Sequence, residues 1–158
     1  MSPRFAKRAL TSAALIGATA VTLFWMPPVY FCLQVTLFIA LALSEFLGLL
    51  KTADIPVYRV FGIAMGVMIP LVVTFEFGVT ESGEVLLLVF GCLSLFVLQF
   101  FRKHNPQALV GISLTLFGIL YISWFLSFVV KIRFLEGGMI WVAYLLAVTK
   151  AGDIGAYA

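Results

Sequence analysis

Six apolar runs separated by short polar loops constrain the fold of this chain more than any other feature. Crossing the hydrocarbon core of a bilayer as a helix takes about 20 mostly apolar residues. The six runs are Ala9–Trp25, Val29–Leu50, Val57–Phe75, Val85–Phe101, Leu109–Val130 and the stretch from Met139 to the end. Backbone groups in lipid must be hydrogen-bonded within the protein, and nearly charge-free runs of this length favour helices over barrel strands. The sequence therefore predicts an all-α polytopic membrane helix bundle with about six transmembrane helices.

The composition agrees with a protein that lies almost wholly in a bilayer. Hydrophobic residues make up 63% of the sequence, against roughly 45–50% in soluble domains. The loops are short, so we expect a single membrane domain over residues 1–158 and no soluble domain. The net charge of +3 comes from basic residues within these loops. Such a distribution indicates membrane topology and a lipid bilayer as partner, with no nucleic acid expected.

The basic residues also predict the orientation, because cytoplasmic loops carry an excess of Lys and Arg. If the N-terminus is cytoplasmic, the cytoplasmic side holds Arg4, Lys7, Arg8, Lys51, Arg59, Arg102 and Lys103. The opposite side then holds Lys131, Arg133, Glu76, Glu81, Glu84 and Glu136. We therefore expect a cytoplasmic N-terminus and a sixth helix that ends on the cytoplasmic side.

Cysteine and histidine chemistry is not indicated by the sequence. Cys32 and Cys92 lie far apart inside apolar runs, without the spacing of a metal site or a disulfide framework. His104 is the one histidine, so the chain cannot form a histidine cluster. It follows two basic residues in a loop, where it is either exposed to solvent or contacts phosphate.

Glu45 is a carboxylate within the second apolar run, where a charge is costly, by about 2.5–3.5 kcal/mol on insertion scales. It precedes Lys51 by six residues. Two interpretations stay open at this point. Glu45 is either an interfacial carboxylate paired with Lys51 or Arg59, or a buried carboxylate that orients a basic residue near a site.

The closing run, VTKAGDIGAYA, places three polar residues on one helix face. Lys150, Asp153 and Tyr157 stand at positions i, i+3 and i+7, and small residues such as Gly152 and Gly155 surround them. One interpretation is a Lys–Asp pair that neutralises itself at the membrane edge. The other is a carboxylate for a hard cation such as Mg²⁺, which takes one or two carboxylates plus substrate phosphates, with a lysine for phosphate.

The closing run resembles a segment of phosphatidate cytidylyltransferases, also called CDP-diacylglycerol synthases, in which a span ends in a D-[TI]-G-A-Y run. The opening KRALTSAALIGA and the segment ALSEFLGLL resemble that family's first and second spans. The family continues with a Ser-x-x-Lys-x-x-Glu-Gly element and a signature with paired aspartates, which these residues do not contain. We therefore expect the chain to be the N-terminal part of a longer enzyme and to be inactive alone.

The resemblance implies that CTP and phosphatidic acid are converted to CDP-diacylglycerol and pyrophosphate, with Mg²⁺ or another divalent cation as cofactor. Asp153 and Lys150 are the expected catalytic residues. Asp153 is the expected metal ligand, and Lys150, Gly155 and Tyr157 are the expected substrate-binding residues. The family's usual form implies an integral protein of a prokaryotic inner membrane and is compatible with a homodimer.

Two other functions are compatible with the sequence. One is a CTP-dependent lipid kinase of the polyprenol or phytol type, which would transfer the γ-phosphate to give a phosphorylated lipid and CDP. The other is a small membrane transporter or an assembly subunit without catalytic activity. The run GDIGAY favours the cytidylyltransferase over the kinase.

Overall fold

A computed structural model describes residues 3–76, 83–101 and 107–157. These residues form the α-helices α1 (Pro3–Phe24), α2 (Pro28–Thr52), α3 (Arg59–Glu76), α4 (Gly83–Phe100), α5 (Ala108–Gly118), α6 (Phe125–Phe134) and α7 (Gly138–Tyr157). A π-helical segment, Ile119–Trp124, joins α5 to α6 as one continuous helix. No strand occurs in the described ranges. The prediction of an all-α bundle is therefore confirmed. Glu81, Arg102, Lys103 and His104 lie outside the described residues.

Among the described residues, three helices are long and apolar enough to cross a membrane. They are α2, α4 and the continuous helix Ala108–Phe134, which has 27 residues. Shorter apolar helices cover Ala14–Phe24 and Arg59–Phe75. These lengths fit a membrane protein, while the count of six spanning helices and the cytoplasmic N-terminus stay predictions.

The connection between α2 and α3 begins with a Schellman motif. The amide of Ile55 donates to the carbonyl of Leu50 at 3.1 Å, and the amide of Asp54 donates to that of Lys51 at 3.2 Å. Asp54 adopts φ 58°, a left-handed conformation that aspartate tolerates better than most residues. The next two residues are Ile55 and Pro56, so the helix does not resume until Arg59. This motif explains why α3 starts two residues later than the apolar run predicts.

The core lies along one face of α2. Ile39, Leu43 and Leu47 recur at a spacing of four, and each is 0% exposed. Such spacing keeps side chains on one side of a helix. The main cluster of buried residues comprises Leu23, Phe31, Cys32, Val35, Ile39, Leu43, Val73, Val130 and Val142. It joins α2 to α1, α3, α6 and α7.

Two glycines of α3 permit close helix contacts. The sequence GIAMG, from Gly62 to Gly66, is the small-xxx-small pattern that favours such contacts. A Cβ on Gly62 would lie 2.7 Å from Leu47 Cδ1, and a Cβ on Gly66 would overlap Leu43 Cδ1. The pattern therefore marks the surface of α3 that packs against α2.

Replacing Gly66 by valine is expected to lower the free energy of unfolding by about 2 kcal/mol, because overpacking a dense core typically costs 1–3 kcal/mol. The measurement is reversible unfolding in mixed detergent micelles, followed by circular dichroism. Gly17→Val is the matched control, because nothing lies within 4 Å of a Cβ at Gly17. Equal stability of the two variants would contradict the tight contact at Gly66.

Candidate functional site

The predicted face of α7 is formed, and its two charged residues contact each other. Lys150 Nζ lies 3.3 Å from Asp153 Oδ2, with 63% and 59% of the two side chains exposed. Tyr157 ends the helix, and its side chain is outside the described part of the structure. The spacing therefore predicted the Lys150–Asp153 pair correctly.

The glycines of the closing run border open space. No atom lies within 4 Å of an ideal Cβ at Gly152 or Gly155. From Tyr144 to Asp153 every side chain is exposed, whereas Val142, earlier in α7, is 0% exposed. The second half of α7 thus extends beyond the packed core with its polar pair accessible.

Asp153 meets part of what a divalent cation requires. Among the described residues, no group of three or more His, Cys, Asp or Glu side chains could hold a metal ion. Mg²⁺ is commonly bound by one or two carboxylates with substrate phosphates supplying further oxygens. The exposed carboxylate of Asp153 fits that role as one protein ligand.

Glu45 matches neither interpretation that its sequence position suggested. Its side chain is exposed, and it makes no ion pair with Lys51 or Arg59. The guanidinium of Arg59 lies instead beside Gly48, 3.8 Å from an ideal Cβ there. Both the paired and the buried carboxylate interpretations of Glu45 are wrong, because the register of α2 turns this residue away from the bundle.

A partly buried ion pair joins the first turn of α4 to the last turn of α6. Lys131 Nζ donates to Glu84 Oε1, and the side chains are 30% and 10% exposed. The ammonium also lies 5.0 Å from the centroid of the Phe128 ring. Charge counting along the sequence predicts only that these residues share one side of the membrane, since residues 47 apart show no local signal of contact.

Polar contacts between helices add to the packing. Gln34 Nε2 donates to Thr19 Oγ1 at 3.1 Å, and Thr22 Oγ1 donates to Gln34 Oε1. At the other end, Tyr58 OH donates to Gln99 Oε1. Hydrogen bonds between polar side chains fix neighbouring helices in lipid, where an unpaired group is costly. These groups therefore hold α1 to α2, and the residue just before α3 to α4.

Comparison with protein families identifies the chain. The family model described as "Cytidylyltransferase family" matches residues 6–158. No curated protein and no solved structure matches the chain. The family match covers almost the whole sequence, including the opening, the Glu45 segment and the closing run that carry the resemblance. The chain therefore belongs to the cytidylyltransferase family, the family of the CDP-diacylglycerol synthases, which makes it a nucleotidyltransferase that uses CTP.

Proposed function

We propose that the acceptor of the nucleotidyl group is phosphatidic acid, so that the reaction yields CDP-diacylglycerol and pyrophosphate. The observation that carries this proposal is the exposed Lys150–Asp153 pair on α7 of an apolar helix bundle. A lipid acceptor suits such a bundle, because the acyl chains stay in the bilayer while the phosphate reaches its edge. The predicted topology puts the pair on the cytoplasmic side, where CTP is found.

The proposed reaction is a nucleotidyl transfer from CTP to phosphatidic acid and involves no redox step. A phosphate oxygen of phosphatidic acid attacks the α-phosphorus of CTP and forms a new P–O bond. The bond between the α-phosphorus and the bridging oxygen breaks, and pyrophosphate leaves with those electrons. A divalent cation, when bound, would neutralise charge on the triphosphate and the leaving group. The contribution of the protein is to position two anionic substrates and offset their charge.

Lys150 and Asp153 have complementary tasks in this scheme. Asp153 would hold the cation, and Lys150 would bind a phosphate of CTP as a point charge. An exposed ion pair contributes about 0–1 kcal/mol, so exchanging it for substrate and cation costs little. Gly155 leaves space for substrate beside the pair, and we include Tyr157 in the binding surface by its position in the closing run.

The family membership argues against a transporter or a non-catalytic subunit. A prokaryotic inner membrane, following the family's usual form, remains part of this proposal, and a homodimer is compatible with it. The lipid kinase differs in the phosphorus that is attacked, since it would transfer the γ-phosphate. The fate of labelled phosphorus therefore separates the two reactions.

Labelled CTP provides the test of this function. The full-length gene product in lipid nanodiscs with phosphatidic acid and Mg²⁺ is expected to move label from [α-³²P]CTP into the lipid fraction. Label from [γ-³²P]CTP is expected in pyrophosphate. Chelation by EDTA is expected to stop the transfer, and excess Mg²⁺ to restore it, because the triphosphate charge would be unscreened without a cation.

The same assay contains its controls. Diacylglycerol in place of phosphatidic acid lacks the attacking phosphate and is expected to accept no label. Lipid labelled from [γ-³²P]CTP would instead establish the kinase reaction. Transfer that is unaffected by EDTA would overturn the metal assignment while leaving the transferase reaction intact.

A further inference from the structure

A second feature, separate from the CTP reaction, lies in the middle of the long helix Ala108–Phe134. Its central segment, Ile119–Trp124, is π-helical. A π turn holds about one residue more than an α turn, is rare, and is often found at functional sites. The residues on either side are regular α-helix. The helix therefore carries a local change of register that its apolar sequence does not require.

The helix is fixed to other parts of the protein on both sides of this segment. On the α5 side, the amide of Tyr58 donates to Thr115 Oγ1 at 3.1 Å. On the α6 side, Lys131 pairs with Glu84 of α4. Both attachments are at least half-buried, so neither is easily exchanged for water. The π-helical segment takes up the difference between the two registers that these attachments impose.

The Ser123 hydroxyl, within the π-helical segment, is buried without a hydrogen-bond partner in the described part of the chain. The other buried hydroxyls of the described helices donate to a carbonyl three or four residues earlier: Thr36 to Cys32, Thr115 to Gly111 and Ser127 to Trp124. Ser123 is 0% exposed, yet its Oγ has no partner among the described residues. In a regular α-helix, the carbonyl of Ile119 would be the acceptor, four residues earlier. A buried hydroxyl without a hydrogen-bond partner is unfavourable. Converting the segment to the α register would therefore remove the desolvation penalty of the Ser123 hydroxyl.

A change of register in this segment would move α7 as well as α6. The two helices meet at a tight turn, where Gly137 has φ +69° and Gly138 packs directly on the carbonyls of Ile132 and Arg133. Val130 and Val142 lie in the same buried cluster. Converting a six-residue π segment to α rotates the rest of the helix by about 100°, one residue's worth of helical turn. The tight turn joins α7 directly to the end of α6, so α7 moves with α6, while the contacts that α6 makes with α2 and α3 are exchanged for others as it rotates.

We propose that Ile119–Trp124 is a register switch, held in its π form by the Glu84–Lys131 pair, whose release rotates α6 and α7 together. The pair lies at one end of the helices, and the Lys150–Asp153 pair lies near the other end of α7. Breaking the first pair therefore changes the position of the second without touching it.

Distance measurement between spin labels tests the proposal on the full chain in lipid nanodiscs. Labels are attached to cysteines at two exposed positions, Leu41 on α2 and Ile140 on α7, with Cys32 and Cys92 replaced by alanine. Lys131→Met is expected to add a second population displaced by up to about 14 Å, because α7 lies about 9 Å from the axis of α6 and is carried around it by about 100°. Lys150→Met removes an exposed Lys–Asp pair on α7 itself and is expected to leave the distance unchanged.

Two further variants link the shift to the switch. Adding Ser123→Ala to Lys131→Met removes the hydroxyl that gains a bond in the α form, so the displaced population is expected to fall. The exchange Glu84→Lys with Lys131→Glu rebuilds the pair and is expected to restore the original distance. If Lys131→Met does not fold, Glu84→Gln, which keeps the side-chain shape, is measured in its place. A single unshifted population, or a shift that Ser123→Ala does not reduce, would overturn the proposal.

Discussion

Replacing Asp153 by asparagine is expected to lower turnover of CTP by the full-length enzyme about 10²–10³-fold, the usual cost of removing one group that stabilises transition-state charge. Asparagine keeps the size of the side chain but not the negative charge with which a divalent cation is held. Lys150 is unchanged in this variant, so the fall in turnover reports the loss of the Asp153 carboxylate alone. The measurement is the rate of lipid labelling from [α-³²P]CTP at several Mg²⁺ concentrations.

Asp54 offers a matched control, since it is the other aspartate of the sequence. It occupies a left-handed position in the turn after α2, which asparagine also accepts. Asp54→Asn is therefore expected to keep the activity of the unaltered enzyme. If Asp153→Asn retains full activity at low Mg²⁺, Asp153 holds no catalytic cation, and the Lys150–Asp153 pair is a self-neutralising pair at the membrane edge.

Replacing Lys131 by methionine is expected to lower the free energy of unfolding by about 3 kcal/mol, the lower end of the range for breaking a buried ion pair. The variant leaves the carboxylate of Glu84, whose side chain is 10% exposed, without its counter-ion. The partial exposure of Lys131 keeps the expected loss at the lower end. Reversible unfolding in mixed micelles, followed by tryptophan fluorescence, gives the value.

The second ion pair of the described residues is the control for this stability effect. Lys150→Met breaks a pair of the same chemistry in which both side chains are more than half exposed, and a loss below about 1 kcal/mol is expected. Adding Glu84→Gln to Lys131→Met removes the uncompensated charge and is expected to recover part of the stability. Equal losses for Lys131→Met and Lys150→Met would contradict a buried Glu84–Lys131 pair.

Features that depend on local pattern could be predicted from the amino-acid sequence. Apolar runs of helical length predict helices because a backbone in lipid has few other ways to pair its polar groups. The i, i+3 spacing of Lys150 and Asp153 predicts their contact because residues three apart are neighbours on any helix. The closing run predicts the family for a similar reason, since its pattern lies within eleven consecutive residues. None of these inferences required knowledge of how the helices are arranged.

Which helices meet, and in what register, depends on the packing of the whole bundle. Glu84 and Lys131 are 47 residues apart, and their pairing depends on α4 and α6 both packing against α3. The π-helical segment lies between two points at which this helix is attached to distant parts of the chain, at Tyr58 and at Glu84, and the apolar sequence of the helix does not reveal it. Glu45 failed as a predicted partner of Lys51 or Arg59 for the same reason, since a rotation of α2 by a fraction of a turn decides whether it faces the bundle. Helix formation in lipid is fixed by local hydrogen bonding, whereas helix pairing is fixed by side chains brought together from distant parts of the chain.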